Sequence, residues 1–156
     1  MGQQQLLLVI LVVVIVGIST IIAVNVLKIG VDNSERDAVK QDLIQASSYV
    51  QEIWERPSAL GGAGRDFTDD EAISENEILK RLNIPGQYDN PDNPKLVTNE
   101  NGSYSLSVEN STEIQITGTA NTTEDEFIIV VCKDENENWI FNLNENTPDN
   151  EGCVNE

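Results

Sequence analysis

The sequence predicts an α+β protein in which a long N-terminal helix packs on a C-terminal antiparallel sheet. Two observations predict this fold class. Apolar residues dominate, or recur at helical spacing, up to about residue 56, and from residue 95 they alternate with polar residues between turn-rich breaks. We expect four segments: an apolar helix at 1–28, its amphipathic continuation at 29–56, a glycine- and proline-rich connector with a short helix at 57–94, and a β domain at 95–156.

The first element is an apolar run of 22 residues, Leu6–Leu27, which no charged residue precedes. Only Ser19, Thr20 and Asn25 within it are clearly polar. A bilayer core of about 30 Å is spanned by roughly 20 apolar residues in a helix. The apolar core of a cleaved secretory signal is shorter, about 7–15 residues, and usually follows basic residues. We therefore expect a membrane-inserted helix, with a cleaved signal as the alternative.

The second element is an amphipathic helix. Its apolar residues follow one another at spacings of 4, 3, 4 and 3: Val39, Leu43, Ala46, Val50 and Ile53. This spacing places them on one face of a helix. Asp42, Gln45 and Glu52 are expected on the opposite side. The helix should end at Arg56, because the residue before a proline is pushed out of the helical region.

The connector begins with a glycine-rich stretch and should contain a short helix that starts near Thr68. Thr68 and Glu71 have the spacing of a capping box. Residues 84–94 contain three prolines and are predicted to form a loop. The later segments with period-two alternation predict five strands joined by tight turns in an antiparallel meander: 95–98, 103–108, 113–119, 126–133 and 139–143.

The charge and composition exclude several classes of protein. Residues 29–156 carry a formal net charge of −19, because the whole chain carries −18 and Lys28 is the one charge before them. Nucleic acid and anionic lipid surfaces are therefore not expected partners. The chain has no histidine, which is the usual general base and the commonest zinc ligand. With 27 acidic residues, neighbouring carboxylates need no catalytic explanation, and we expect no enzymatic activity.

The chain has two cysteines, Cys132 and Cys153. In a chain with an apolar export segment, a cysteine pair predicts a disulfide formed outside the cytoplasm. Two free thiols are the alternative.

The order of these elements resembles the type IV pilin and pseudopilin family. The resemblance rests on the run "LLLVILVVVIV", the run "RPSALGGAGRDFT" after the amphipathic helix, the predicted sheet and the cysteine pair. It implies a subunit that the apolar helix holds in the inner membrane until the pilus assembly machinery draws it into a helical filament. It also implies that the globular head packs on the amphipathic part of the helix.

The resemblance assigns roles to residues of the apolar run. A leader cleaved after Gly2 would leave Gln3 as the first mature residue and Leu7 as the fifth, where most members of the family have Glu. The filament core would be formed by apolar side chains along the helix: Leu7, Leu11, Val14, Ile18 and Ile21.

We therefore expect the structural subunit of an extracellular type IV pilus-like filament, which binds copies of itself and needs no cofactor. One alternative is a single-pass, membrane-anchored extracytoplasmic domain that binds a ligand and does not polymerise. The other is a pseudopilin of a secretion system, which forms only a short periplasmic filament.

A calcium site is a secondary hypothesis. Asp134, Asn136, Asn138 and Glu145 occupy positions 1, 3, 5 and 12 of an EF-hand-like loop, and some pseudopilins carry calcium in this region. Position 6 is Trp139 rather than glycine, so a simple hairpin turn is the favoured interpretation.

Three asparagines begin N-glycosylation sequons in predicted turns or strand ends: Asn101, Asn110 and Asn121. Chance explains most such matches in a chain this rich in Asn, Ser and Thr. Glycosylation of at least one of these asparagines is therefore a hypothesis, and the sequence does not indicate which one.

Overall fold

The computed structural model describes residues 2–69, 71–149, 151 and 153. The chain divides into two compact units, residues 1–34 and residues 35–156. We call the second unit the head. The described residues contain two α-helices, α1 (Gly2–Glu55) and α2 (Glu75–Arg81), and a short 3-10 helix at Ser58–Leu60. Helix α1 contributes residues to both units.

The described part of the head also contains one sheet of six antiparallel strands, arranged in the order in which they occur along the chain. These strands are β1 (Gln87–Tyr88), β2 (Val97–Thr98), β3 (Gly102–Asn110), β4 (Glu113–Ala120), β5 (Glu126–Lys133) and β6 (Trp139–Glu145). The predicted fold class is confirmed, as are the five predicted strands and their meander order.

Strand β1 was not predicted, because it lies in the segment expected to be a proline-rich loop. Gln87 pairs with Thr98 and Tyr88 pairs with Val97. A strand of two residues is too short to show alternation in sequence. It forms because β2 offers a free edge for it to pair with, which is a tertiary effect.

The amphipathic part of α1 packs on the sheet with the face that its spacing predicts. All five apolar residues of that face are buried: Val39, Leu43, Ala46, Val50 and Ile53. They share one core with alternate residues of β4 and β5, of which Ile114 pairs with Val131 and Ile116 with Ile129. Burial of this face in the head is the main apolar contribution that holds the helix to the sheet.

The helix approaches the sheet most closely at Gly118 in β4. A Cβ atom at Gly118 would lie 2.9 Å from Cγ1 of Val39, 3.2 Å from Cδ1 of Tyr104 and 3.3 Å from Cδ1 of Leu43. Glycine is therefore the residue that leaves room for two helix side chains and one aromatic ring.

We expect Gly118→Ala to destabilise the head by about 1–3 kcal/mol, the usual cost of overpacking a filled core. Urea unfolding of the full chain in detergent measures the change. Ser105→Ala is the matched control, because its side chain lies on the other face of the sheet, beside Thr117, and should change stability little. An unchanged midpoint for Gly118→Ala would show that the helix can shift away from the sheet at no cost.

Helix α2 begins at Glu75, with Ser74 as its N-cap, so the predicted start near Thr68 was wrong. Thr68 and Glu71 form no capping box. Instead, Asp66 Oδ1 accepts hydrogen bonds from the Thr68 backbone N–H and hydroxyl, both at 2.7 Å, and Asp69 Oδ1 accepts one from the Glu71 N–H at 2.8 Å. Short aspartate side chains bond to nearby backbone and so compete with the helix.

The glycine-rich connector folds back over the end of α1. The backbone N–H groups of Ala63 and Arg65 donate to the carbonyl oxygens of Ile53 and Trp54, at 2.9 and 2.8 Å. The last carbonyl groups of a helix lack partners within the helix. The connector supplies these partners and thereby fixes where the chain leaves α1.

Candidate functional site

The apolar segment, Leu6–Leu27, is the first candidate site. Its large apolar side chains are between 49 and 69% exposed. The predicted core residues are among them: Leu7, Leu11, Val14, Ile18 and Ile21. The helix that contains the segment is long and apolar enough to cross a membrane. Such a continuous apolar surface needs a cover of lipid or of other apolar helices.

One polar side chain inside the apolar segment, Thr20, is bonded within the helix. The Thr20 hydroxyl donates a hydrogen bond to the Val16 carbonyl oxygen, one turn earlier, at 2.8 Å. This bond satisfies the hydroxyl without any partner from outside the helix. The helix also continues through Gly17 and Gly30 without a break. Gly2 and Gln3 lie at its start, and cleavage between them stays a prediction.

In the head, an ion-pair cluster joins α1 to the end of β6 and to the turn before β5. Arg36 Nη2 lies 3.1 Å from Glu145 Oε2, and Arg36 Nε lies 3.3 Å from Asp125 Oδ2. Lys40, one turn further along, places Nζ 2.9 Å from Glu145 Oε1. Both cations also lie over the Phe127 ring, at 5.6 and 4.7 Å from its centroid. The cluster fixes the register of the helix against β5 and β6.

The cluster has a consequence for the titration of Glu145. The hydrogen bond from Lys40 lowers the pKa of Glu145 below its ordinary value of 4.5, the charges of Lys40 and Arg36 lower it further, and desolvation opposes them. A lowered pKa in the folded state gives stability that is complete above pH 4.5 and is lost as the pH falls through the folded value.

We expect Glu145→Gln to lower the melting temperature of the chain at neutral pH and to make its decline below pH 4.5 shallower. A series of thermal melts in detergent across that range measures both effects. Glu100→Gln is the control, because Glu100 is exposed and no side-chain partner is described for it. Equal pH profiles for Glu145→Gln and the unchanged chain would contradict a stabilising role for the cluster.

A polar network ties the part of α1 that lies in the head to β3 and to the turn after β2. Asp42 Oδ2 accepts hydrogen bonds from the Tyr104 hydroxyl at 2.6 Å and from Asn99 Nδ2 at 3.0 Å. Burial of Tyr104 raises its pKa, and the bond to Asp42 adds to the effect, so the phenol stays neutral. The expectation that Asp42 lies opposite the apolar face was wrong. It lies on the flank of that face, where a sheet side chain can reach it.

A second carboxylate at the start of the head serves the same purpose. Glu35 Oε1 accepts a hydrogen bond from the Thr122 backbone N–H at 2.8 Å. The Thr122 hydroxyl lowers the pKa of Glu35 most, its backbone N–H lowers it as well, and desolvation opposes both. The carboxylate therefore holds the β4–β5 turn against the helix. Helical periodicity does not reveal such contacts, because the turn comes from a distant part of the chain.

The predicted disulfide is confirmed: Cys132 is bonded to Cys153, with their Cα atoms 5.6 Å apart. Cys132 is buried in β5 and points away from α1, on the same side as Val130. The segment that follows β6 is also held by Asn142, whose Nδ2 donates to the carbonyl oxygens of Asp149 and Glu151, each at 3.0 Å. The bond therefore holds the segment after β6 against β5.

The structure does not bring the four calcium candidates together. Asp134 Oδ1 accepts hydrogen bonds from the backbone N–H groups of Asn136 and Asn138, at 2.8 and 2.7 Å. These bonds, chiefly the one from Asn138, lower the pKa of Asp134 and close a β5–β6 turn. Glu145 lies at the opposite end of β6, in the ion-pair cluster. An extended strand separates it from the turn, whereas a calcium loop must curl back on itself.

The described residues also contain no group of three or more His, Cys, Asp or Glu side chains arranged to hold a metal ion.

Sequence patterns gave no signal for a cleft between the end of α1 and the β5–β6 turn. It measures about 810 Å³, and its lining includes Trp54, Lys133 and Trp139. The two indole rings meet edge to face, with centroids 5.5 Å apart. Lys133 Nζ lies 3.8 Å from the centre of the Trp54 ring and 5.5 Å from that of Trp139. The chain's own cation thus occupies the aromatic surface that a cationic ligand would use.

The three sequon asparagines lie at the ends of strands. Asn101 and Asn121 occupy the β2–β3 and β4–β5 turns, and Asn110 ends β3. The backbone N–H of Asn121 donates to the Asn101 carbonyl oxygen at 3.2 Å, so these two lie at the same end of the sheet.

Comparison of the chain with protein-family models, with curated proteins and with solved structures found no match. The fold and the candidate sites define an α+β protein with an apolar helix able to span a membrane and a disulfide-bonded head.

Proposed function

We propose that the chain is the structural subunit of an extracellular type IV pilus-like filament. Its apolar segment would hold it in the inner membrane before assembly and form the filament core afterwards. The observation that carries the proposal is the exposed apolar surface of Leu6–Leu27, which is free of charge and joined to a folded, acidic head.

The distribution of charge indicates which part of the molecule would drive assembly. Residues 29–156 carry a formal net charge of −19, so heads repel one another at low salt. The attraction must come chiefly from the apolar segments. Each segment gains about 25 cal/mol for every Å² of apolar area that it removes from water. The segment itself carries no charge, so its burial in such a core leaves no charge without a partner.

The head has features suited to a surface outside the cell. A disulfide persists in oxidising compartments, and the bond between Cys132 and Cys153 fits that environment. The Arg36–Glu145 and Tyr104–Asp42 contacts fix the helix to the sheet, so the head can be carried into a polymer as one body.

Negative-stain electron microscopy of material sheared from cells tests the proposal. We expect long thin fibres, and mass spectrometry should identify this chain as their main component. A chain found only in the membrane fraction, with no fibres, would contradict the proposal.

The same experiment separates the other functions. A single-pass anchored binding domain would use the apolar segment only to span the membrane, and it would remain in the membrane fraction. The Trp54–Trp139 cleft is the observation that favours this alternative. A secretion pseudopilin would give short filaments that stay within the cell envelope and do not shear off.

A further inference from the structure

The structure distinguishes the three N-glycosylation sequons by what their side chains already do. Transfer of a glycan requires the amide nitrogen Nδ2 of the asparagine, which forms the bond to the sugar. It also requires the hydroxyl of the Ser or Thr two positions later, which defines the acceptor motif. An acceptor that presents both groups is better suited than one whose groups are engaged within the fold.

The sequon at Asn110 has both groups engaged. Asn110 Nδ2 donates to Glu113 Oε2 at 3.0 Å, and Glu113 is only 1% exposed. The Thr112 hydroxyl donates to Asn110 Oδ1 at 3.2 Å. A glycan on Asn110 would disturb the partner of a buried carboxylate, which is costly.

The asparagine of the Asn121 sequon is engaged more fully than Asn110. Its Nδ2 donates to the carbonyl oxygens of Asn99 and Glu100, at 3.0 and 3.1 Å. Both amide hydrogens are therefore used, and a glycan must displace one of them. The Thr123 hydroxyl oxygen accepts a hydrogen bond from the Asp125 backbone N–H at 3.4 Å.

The sequon at Asn101 has neither group engaged in the fold. Asn101 and Ser103 are half-buried whereas Asn121 is exposed, so hydrogen bonding and not exposure sets the Asn101 sequon apart. Within the part of the chain that the structure describes, neither Asn101 Nδ2 nor the Ser103 hydroxyl has a hydrogen-bond partner. The Asn101 backbone is nevertheless fixed, because its N–H donates to Asn99 Oδ1 at 2.9 Å and its carbonyl accepts from Asn121. The turn holds the acceptor in place and leaves its side chain unused.

The middle residue of this sequon adds to the argument. A Cβ atom at Gly102 would collide with the Thr119 carbonyl oxygen and lie 3.0 Å from Cγ2 of Val39. The backbone at Gly102 therefore packs against β4 and α1. Because residue 102 is a glycine, no side chain lies between the Asn101 amide and the Ser103 hydroxyl.

We propose that Asn101 is the acceptor of an N-linked glycan. The donor is a sugar linked to a lipid phosphate, which a membrane-bound transferase supplies. The bond between Asn101 Nδ2 and sugar C1 forms while the bond between C1 and the phosphate oxygen breaks. The phosphate leaves with the bonding electron pair, and Nδ2 loses one proton. The proposal does not depend on polymerisation.

The test uses the full chain isolated from the cells that make it. Cleavage after glutamate separates the three sequons into peptides 101–109, 110–113 and 114–124. Mass spectrometry should find a glycan on peptide 101–109 alone. Asn101→Gln and Ser103→Ala should each abolish that glycan completely, and the matched control Asn121→Gln should retain it.

Two outcomes would overturn the proposal. The first is that peptide 101–109 has its unmodified mass, or a mass altered only by deamidation of Asn101, which precedes Gly102. The other is a glycan on peptide 110–113 or 114–124 while Asn101 is bare. Loss of folding would not imitate the expected result, because Ser103→Ala retains the asparagine and thermal melts of each variant report the folded state.

Discussion

Filaments should be absent from cells that make the Val14→Arg chain. Val14 lies in the middle of the apolar segment, and its side chain is 52% exposed. Residues 1–27 contain no acidic residue, so an arginine there would have no partner in a core built from these segments. A buried charge without a partner costs several kcal/mol, and the cost recurs in every subunit. Electron microscopy of sheared material measures the result.

Membrane insertion of the Val14→Arg chain must be measured together with filament formation. An arginine at the centre of a spanning helix costs about 2.5–3.5 kcal/mol on insertion scales, which a strongly apolar run of 22 residues should tolerate. We therefore expect the Val14→Arg chain in the membrane fraction, folded but unassembled.

Leu60→Arg is the matched control for this experiment. Leu60 is 70% exposed and lies in the 3-10 helix of the head, so the same charge there should leave filaments intact. Normal filaments from Val14→Arg would show that the apolar segment is not the polymer core. They would favour a protein that uses the segment only as a membrane anchor.

Removal of the disulfide should have the largest effect on the stability of the head. Cys132 and Cys153 are 21 residues apart, and loop-closure entropy gives a bridge of this size about 3 kcal/mol. We expect the double variant Cys132→Ser with Cys153→Ser to lose about that amount. Guanidinium unfolding of the full chain in detergent measures it.

Reduction provides the control for this prediction. A reducing agent should lower the unfolding midpoint of the unchanged chain to that of the double variant, and it should not affect the variant. Equal midpoints for the oxidised chain and the variant would show that the segment after β6 contributes nothing to stability.

The parts of the fold that could be predicted are those specified by local periodicity. Val39, Leu43 and Val50 belong to a face that a period of 3.6 residues defines, and the structure buries each of them. Strands β3, β4 and β6 alternate over seven or more residues, enough for the pattern to appear, and β5 is recognised as an apolar run between turn-rich segments. The disulfide could be predicted because the chain has two cysteines and an apolar segment of the kind that directs a protein out of the cytoplasm.

The parts that could not be predicted depend on contacts between distant residues. Strand β1 exists because β2 pairs with it. Asp42 lies on the flank of a helix face, and only the position of Tyr104 decides that it bonds to the sheet. Glu145 fits the spacing of a calcium loop, but the extended strand carries it to Arg36 and Lys40 instead. A sequence motif specifies how far apart its residues are along the chain, but not whether the chain between them is curled or extended.

The order of the strands bears on how the head folds while the chain is synthesised from its N-terminus. Each strand after β1 pairs with the one before it, so it finds a partner as soon as it is made. The face of α1 that holds Val39 and Leu43 is made first and stays uncovered until β4 and β5 follow. The Arg36–Glu145 contact joins residues 109 positions apart, so it can form only after β6 is made. Until then the growing chain exposes an apolar face that must be protected from neighbouring chains.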